Sequence, residues 1–139
     1  GQLVGYPILD LRRWRRDVAG YLRALEEVLI GAVGEFGIEA GRQPGLTGVW
    51  VAGAKIAAIG VHLSRWVTSH GFALNVSTDL SYFQYIVPCG LAGKRVTSLE
   101  RLLGTDPGRD RVIATVVRRF GCAFERHMTV SRIEVLCQT

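Results

Sequence analysis

Two residues of this chain are of a type, and in a setting, that could do covalent chemistry: Cys89 and Lys55. Cys89 sits in Ile86-Val87-Pro88-Cys89-Gly90, an apolar run that turns sharply at Pro88 and Gly90. Proline fixes its own φ, and glycine reaches backbone angles that other residues avoid, so such a turn can present a thiol at a surface or into a pocket. A thiol presented there is a nucleophile once something lowers its pKa. Lys55 lies in Gly53-Ala54-Lys55-Ile56-Ala57-Ala58-Ile59-Gly60, among small residues that let backbone or ligand come close. An ammonium near a thiol favours the thiolate, by charge and by hydrogen bonding. A Cys–Lys pair is therefore a workable acyl-transfer dyad, in which sulfur attacks and lysine moves the proton. Each residue also has a plainer reading. Free cysteine is often buried as a small hydrophobe, and a lysine on a strand edge commonly faces solvent.

The other reactive side chains are less pointed. His70 suits either a pocket or a satisfied structural hydrogen bond. His62 and His127 lack ligand partners at metal spacing, so no metal is expected. Cys122 and Cys137 read as structural, and Asp79 as a loop cap. Three cysteines without paired spacing do not make a disulfide framework, which suits a reducing, cytoplasmic compartment. No phosphate-cradling Gly-rich loop is present, and no cofactor is expected.

The elements that must hold Cys89 and Lys55 can be read from periodicity. Leu3 to Leu9 reads as a strand. From Asp17, an N-cap type, Val18, Tyr21, Leu22, Leu25, Val28 and Leu29 recur at helical spacing, with Arg23, Glu26 and Glu27 on the other side. A helix over about 17–36 follows, with Gly37 as its stop. Thr47–Val51 and Lys55–Leu63 read as a hairpin about Ala52-Gly53-Ala54. Strand material continues over Trp66–Ser69 and Phe72–Val76. Asp79–Tyr85 reads as a loop with one helical turn. Thr97 with Glu100 has the form of a capping box for a short helix that stops at Gly104. A second helix is expected over Pro107–Phe120, ended by Gly121, and a last strand over Thr129–Leu136.

The 139 residues, 48% hydrophobic and 21% charged, bound the chain to one globular domain. No apolar run reaches the ~20 residues that span a bilayer, so no membrane partner is expected. The net charge of +5 is carried by arginine clusters, Arg12, Arg13, Arg15 and Arg16 about Trp14, and Arg109, Arg111, Arg118 and Arg119. Aromatic interleaving of the single-strand-binding kind is absent apart from Trp14, so nucleic acid is not the expected partner either.

Five segments, in order, resemble the octanoyltransferase family, also called lipoate-protein ligase B or lipoyl(octanoyl) transferase. They are Gly1-Gln2-Leu3-Val4-Gly5-Tyr6-Pro7, Gly48-Val49-Trp50-Val51, Lys55-Ile56-Ala57-Ala58-Ile59-Gly60-Val61, His70-Gly71-Phe72-Ala73-Leu74-Asn75-Val76 and Ile86-Val87-Pro88-Cys89-Gly90, with Thr97-Ser98-Leu99 fitting as well. The match covers about residues 1–103, and the spacing of Lys55 and Cys89 agrees with it. The resemblance implies an α/β (α+β) fold of the biotin/lipoate protein ligase kind, a mixed sheet with flanking helices. It implies transfer of octanoyl from octanoyl-acyl carrier protein to a lysine of lipoyl-domain proteins, such as 2-oxoacid dehydrogenase acyltransferase subunits and the glycine cleavage H protein. By resemblance, Cys89 is the acyl-thioester nucleophile and Lys55 lowers its pKa. Ala58-Ile59-Gly60 and Gly71-Phe72-Ala73 line the acyl pocket, with Gly60, Gly71 and the alanines leaving room for a thin alkyl chain and with Phe72 and Ile59 supplying apolar wall. His70 precedes the second of these segments. In the family an Arg-Gly-Gly segment and a Thr-x-His-Gly-Pro run precede the opening motif. The chain here starts just after them, so residues 1–139 are expected to be a single catalytic domain that lacks its N-terminal part.

Two alternatives stay open on the residues alone: an ATP-dependent lipoate or biotin ligase, and a non-catalytic basic module that binds an acidic protein. Acyl carrier proteins are typically acidic, and a basic partner gains mainly on-rate from that. Reversing Arg12, Arg13, Arg15 and Arg16 is therefore expected to lower kcat/KM at low salt and to lose most of that effect at high salt. A loss independent of ionic strength would show that these arginines do something other than steer.

Overall fold

The computed structural model describes residues 1–85 and 94–131. Its centre is a five-stranded sheet in the order β1-β5-β4-β3-β2, where β1 is Gln2–Gly5, β2 Gly41–Gln43, β3 Leu46–Val51, β4 Ala54–Ser64 and β5 Val67–Asn75. Every strand pair in it is antiparallel. Among the described residues the parallel component is one bridge, Lys55 to Val96. Among the described residues the α-helices are α1 (Val18–Gly34), α2 (Leu99–Leu103) and α3 (Arg109–Phe124). This is the expected α+β arrangement.

The core lies on one face of the sheet. Leu25, Leu29 and Val33 of α1 and Val112, Val116 and Phe124 of α3 join Val49, Ile56, Ala57 and Leu74 of the strands in one buried cluster. At ~25 cal/mol per Å² of apolar surface this burial is the main stabilising term. The other face carries mostly small and polar residues, Gln2, Ala58, Gly60, Ala73 and Asn75, with Val4 beside them.

The expected hairpin forms, with Ala52 and Gly53 in its turn at φ +46 and +80. Asp17 caps α1 by accepting from the Gly20 N–H at 2.9 Å. The 3₁₀ turn Leu80–Tyr85 fills the loop where one helical turn was expected. The two expected strand pieces around His70-Gly71 are one strand, β5, which runs through His70 at φ +61.

Several expectations shift, each for a local reason. The first strand ends at Gly5 rather than Leu9, because Pro7 has no N–H to donate. The chain beyond it is tied to β5 by Thr68, whose hydroxyl donates to the Pro7 carbonyl and accepts from the Leu9 N–H, both at 2.9 Å. The cap of α2 is Ser98, which accepts from the Arg101 N–H, so the capping residue is one position later than Thr97. Gly104 closes that helix in the left-handed conformation, as expected. The helix α3 does not stop at Gly121 but continues to Phe124. Phe124 is buried against Phe120 (ring centroids 4.4 Å apart), Trp14 (5.1 Å) and Tyr21 (5.8 Å), and that packing outweighs the glycine. Trp14 is thus part of a core corner. Residues 129–131 are not strand; the remainder of that expected element, with Cys137, lies outside the described residues.

The late arginines are largely structural. Arg118 and Arg119 of α3 both pair with Glu35, just past the end of α1, and Arg111 sits over the Phe36 ring at 4.9 Å. Glu35 is held down to about 2 from the ordinary 4.5, first by the Arg118 hydrogen bond and then by Arg119. A carboxylate depressed in the folded state contributes stability that is present above pH 4.5 and lost as pH falls towards 2. Glu35→Gln is therefore expected to be less stable than the parent at neutral pH and to show a flatter fall in stability from pH 4.5 to 2, followed by urea melts. An unchanged slope would show that the α1–α3 ion pairs carry no net stability.

Candidate active site

Lys55 is the second residue of β4, and its face of the sheet is decided by a bulge. Val49 pairs with Ala57 and Trp50 with Lys55, so β4 holds one extra residue, Ile56, between them. Strand side chains alternate faces, and an extra residue resets the alternation. Ile56 and Ala57 are consequently both buried in the core, while Lys55 shares the open face with Ala58. Its ammonium stands 5.1 Å from the Trp50 ring centre, within cation–π range. Lys94 approaches the same ring at 5.7 Å.

Gly48 makes room for this lysine. It has φ +130, and a Cβ there would lie 2.8 Å from the Ala57 carbonyl oxygen and 3.0 Å from Lys55 Cε. The Gly48 N–H donates to Glu26 Oε1 of α1 at 3.1 Å. Glu26 was expected on the polar side of its helix, but it is wholly buried. Its other oxygen accepts from Arg23 at 2.7 Å and from Arg42 at 2.8 Å. Burial raises its pKa, but the Gly48 N–H, Arg23 and Arg42 together outweigh this and hold it below the ordinary carboxylate value.

The backbone of Lys55 is clamped by the segment that follows residue 93. Its N–H donates to the Arg95 carbonyl at 2.8 Å, and its carbonyl accepts from the Thr97 N–H at 2.9 Å. Asn75, buried at the end of β5, ties this segment to the sheet. Its Nδ2 donates to the Thr97 carbonyl at 3.0 Å and its Oδ1 accepts from Gln2 Nε2 at 2.9 Å. Lys55, Ala58, Ala73, Asn75, Gln2, Phe83 and Val96 enclose a cavity of about 50 Å³, room for one or two waters at ~30 Å³ each. An adjoining open cleft of about 550 Å³ shares Gln2 and Phe83 with it. A third groove, of about 490 Å³, shares Phe83 and Val96 and carries Lys94, Arg95 and Arg101.

The remaining candidates separate by face. Gly60 and Gly71 are cross-strand partners on the open face, beside the pair Ala58 and Ala73. Nothing lies within 4 Å of where a Gly60 Cβ would be. A Gly71 Cβ would instead meet the Gly5 carbonyl oxygen at 2.2 Å and Pro7 Cδ at 2.5 Å, so the space there is taken by β1. Ile59 and Phe72 are partners on the core face, Phe72 within the buried cluster and Ile59 against it. Their side chains wall the core, and only their backbone reaches the open face. His70, opposite Val61, is exposed at the other side of Gly71. Cys89 lies outside the described residues. Phe83 and Val96, which lie on either side of it in sequence, both wall the Lys55 cavity. Among the described residues no group of three His, Cys, Asp or Glu could hold a metal, and no helix is long and apolar enough to cross a membrane.

Sequence reasoning assigned no role to Glu26, Gly48 or Asn75. Glu26 stands one turn after Leu22 and seven residues before Val33, inside the apolar stripe, and a charge there was the signal. Asn75 interrupts a β-prone run, where Asn is disfavoured.

Residues 1–121 match the model of the lipoyl protein ligase A/B catalytic domain. The octanoyltransferase of Solibacter usitatus is 66% identical over 128 residues, covering 92% of this chain and 57% of that protein. The octanoyltransferase of Koribacter versatilis is 53% identical over 133 residues, covering 92% of this chain and 53% of that protein. The chain thus spans a little over half the length of these relatives. Among solved structures, biotin protein ligase from Aquifex aeolicus in complex with biotin and ATP superposes with a TM-score of 0.72 at 19% identity, covering 90% of this chain and 50% of that one. Lipoate-protein ligase A bound with ATP gives 0.69 at 16%, covering 94% and 53%. At these identities the likeness is one of fold.

Asn75→Ala is expected to lower stability by about 1–3 kcal/mol, since it leaves the buried Thr97 carbonyl without its partner. Urea melts check this, and an unchanged midpoint would show that water replaces the amide.

Proposed function

The chain belongs to the lipoyl protein ligase A/B catalytic-domain family, and from that premise we propose that it transfers octanoyl from octanoyl-acyl carrier protein to a lysine of lipoyl-domain proteins. In this reading Cys89 is the nucleophile and Lys55 its partner. The observation that carries it is that both flanks of the segment bearing Cys89, at Phe83 and at Val96, end on the cavity that holds Lys55. The relatives named octanoyltransferase support the choice of acyl group.

The chemistry balances without a further reactant. The Cys89 thiolate attacks the donor thioester carbonyl, its carbon–sulfur bond breaks, and the carrier leaves as a thiolate that takes a proton from the Lys55 ammonium. The acceptor lysine amine then attacks the Cys89 thioester. An amide forms, the Cys89 sulfur leaves as thiolate, and the proton lost by the amine returns to Lys55. A thioester becomes a thioester and then an amide, which is downhill. Ala58, Gly60 and Ala73 offer the alkyl chain a low floor on the open face, with backbone from Ile59, Gly71 and Phe72; His70, opposite Val61, stands off this floor. The groove with Lys94, Arg95 and Arg101, next to Lys55, suits an acidic donor. The reaction belongs in the cytoplasm, where carrier protein and acceptor meet.

Intact mass after incubation with octanoyl-acyl carrier protein, without ATP, tests the proposal. The expected product is a hydroxylamine-sensitive octanoyl adduct that Cys89→Ser abolishes and Cys122→Ser and Cys137→Ser retain. A full adduct on Cys89→Ser, or acyl transfer only from the free acid with ATP, would overturn it in favour of other chemistry or of a ligase.

A further inference from the structure

We propose that Glu26 is a positioning residue for Lys55 and acts through the backbone of Gly48; this rests on the Cys89–Lys55 reading above. Glu26 is buried from all sides, yet its arginines are not: the side chains of Arg23 and Arg42 are 61% and 36% exposed, against 1% for Glu26. Taking a carboxylate out of water to meet partners that stay in it is a costly way to stabilise a helix, and apolar replacements of buried ion pairs are often at least as stable. What the carboxylate does that an apolar side chain could not is hold one particular N–H. That N–H belongs to Gly48.

Gly48 is also the residue over which the lysine stem passes. Its missing Cβ is 3.0 Å from Lys55 Cε, and its own backbone is in a region that only glycine adopts readily. The bond from Glu26 therefore fixes the floor under the lysine. Two residues on, Trp50 supplies the aromatic surface on which the ammonium rests. If the floor moves by a few tenths of an ångström, the stem collides or loses contact, and the ammonium swings away from its station. The link runs from α1 through β3 to β4, and no residue of it touches a reacting group except Lys55.

The test reads the thiol rather than activity. Alkylation of Cys89 by iodoacetamide is followed against pH by peptide mass spectrometry, with Cys122 in the same molecule as an internal control, in the full chain. Lys55→Met is expected to move the Cys89 profile to higher pH. Glu26→Gln is expected to move it the same way, slowing alkylation at neutral pH several-fold. It should add nothing in the Lys55→Met background and leave the Cys122 rate unchanged. Glu26→Asp keeps the charge but withdraws the carboxylate from Gly48, and should behave like Glu26→Gln. Should either fail to fold, Arg42→Gln, at a half-exposed position, removes one of the groups that aim Glu26 and should shift the profile in the same direction.

A shift with Lys55→Met but none with the folded Glu26 or Arg42 variants would overturn the positioning role and leave the dyad standing. A further shift from Glu26→Gln when Lys55 is already gone would overturn it too. No shift with Lys55→Met would sink the dyad, and the positioning role with it.

Discussion

A single inserted residue, Ile56, decides on which side of the sheet the chain keeps its one strand-borne ammonium. In a regular ladder Lys55 would share a face with Ala57, and so with Val49 and Leu74 in the core. An ammonium there would be stripped of water among aliphatic side chains, at a cost far above what a fold of this size can carry. The bulge turns it out to the open face and places Ile56 in the core in its stead. Every other feature of the site presupposes this reset: the absent side chain at Gly48, the indole of Trp50 beneath the charge, and the 95–97 segment bonded to both sides of the Lys55 backbone.

The two faces of the sheet then divide the labour. The core face is filled with branched and aromatic side chains and carries stability. The open face is kept low by Ala58, Gly60 and Ala73, which together make a surface an extended alkyl chain could lie on. Its polar members, Gln2, Asn75 and Lys55, gather at one end. An antiparallel sheet can carry its core on one face alone, and here chemistry is expected on the other.

Much of this was legible in the residues. The hairpin over 47–63, the N-cap at Asp17 and the stop at Gly104 follow from periodicity and capping chemistry, and the ligase-like fold is what the family resemblance implied. What was not legible depends on distance in the chain. Glu26 reads as polar from its neighbours, and only α1 docking on Gly48, a contact across 22 residues, shows why it is buried. Gly121 reads as a helix stop, and only the aromatic cluster around Phe124 overrides it. Ile59 and Phe72 stand inside a motif associated with an acyl pocket, yet strand alternation sends their side chains to the core. Motif membership names a segment, and the pleat decides which of its side chains takes part.

The pairing of β1 with β5 has a consequence for how the molecule comes into being. Gln2 meets Asn75 across 73 positions, and the Gln2 carbonyl also accepts from Arg109, a further helix away. Residues 2–5 emerge from the ribosome long before β5 does. At ~5–20 residues per second they wait about 4–15 s for β5 alone. During that interval the β3–β4 and β4–β5 hairpins, whose contacts are local, can already form. The strand that supplies Gln2 to the Lys55 cavity can thus join β5 only after β3 and β4 have emerged, and the cavity wall it contributes is completed only after the lysine has been made.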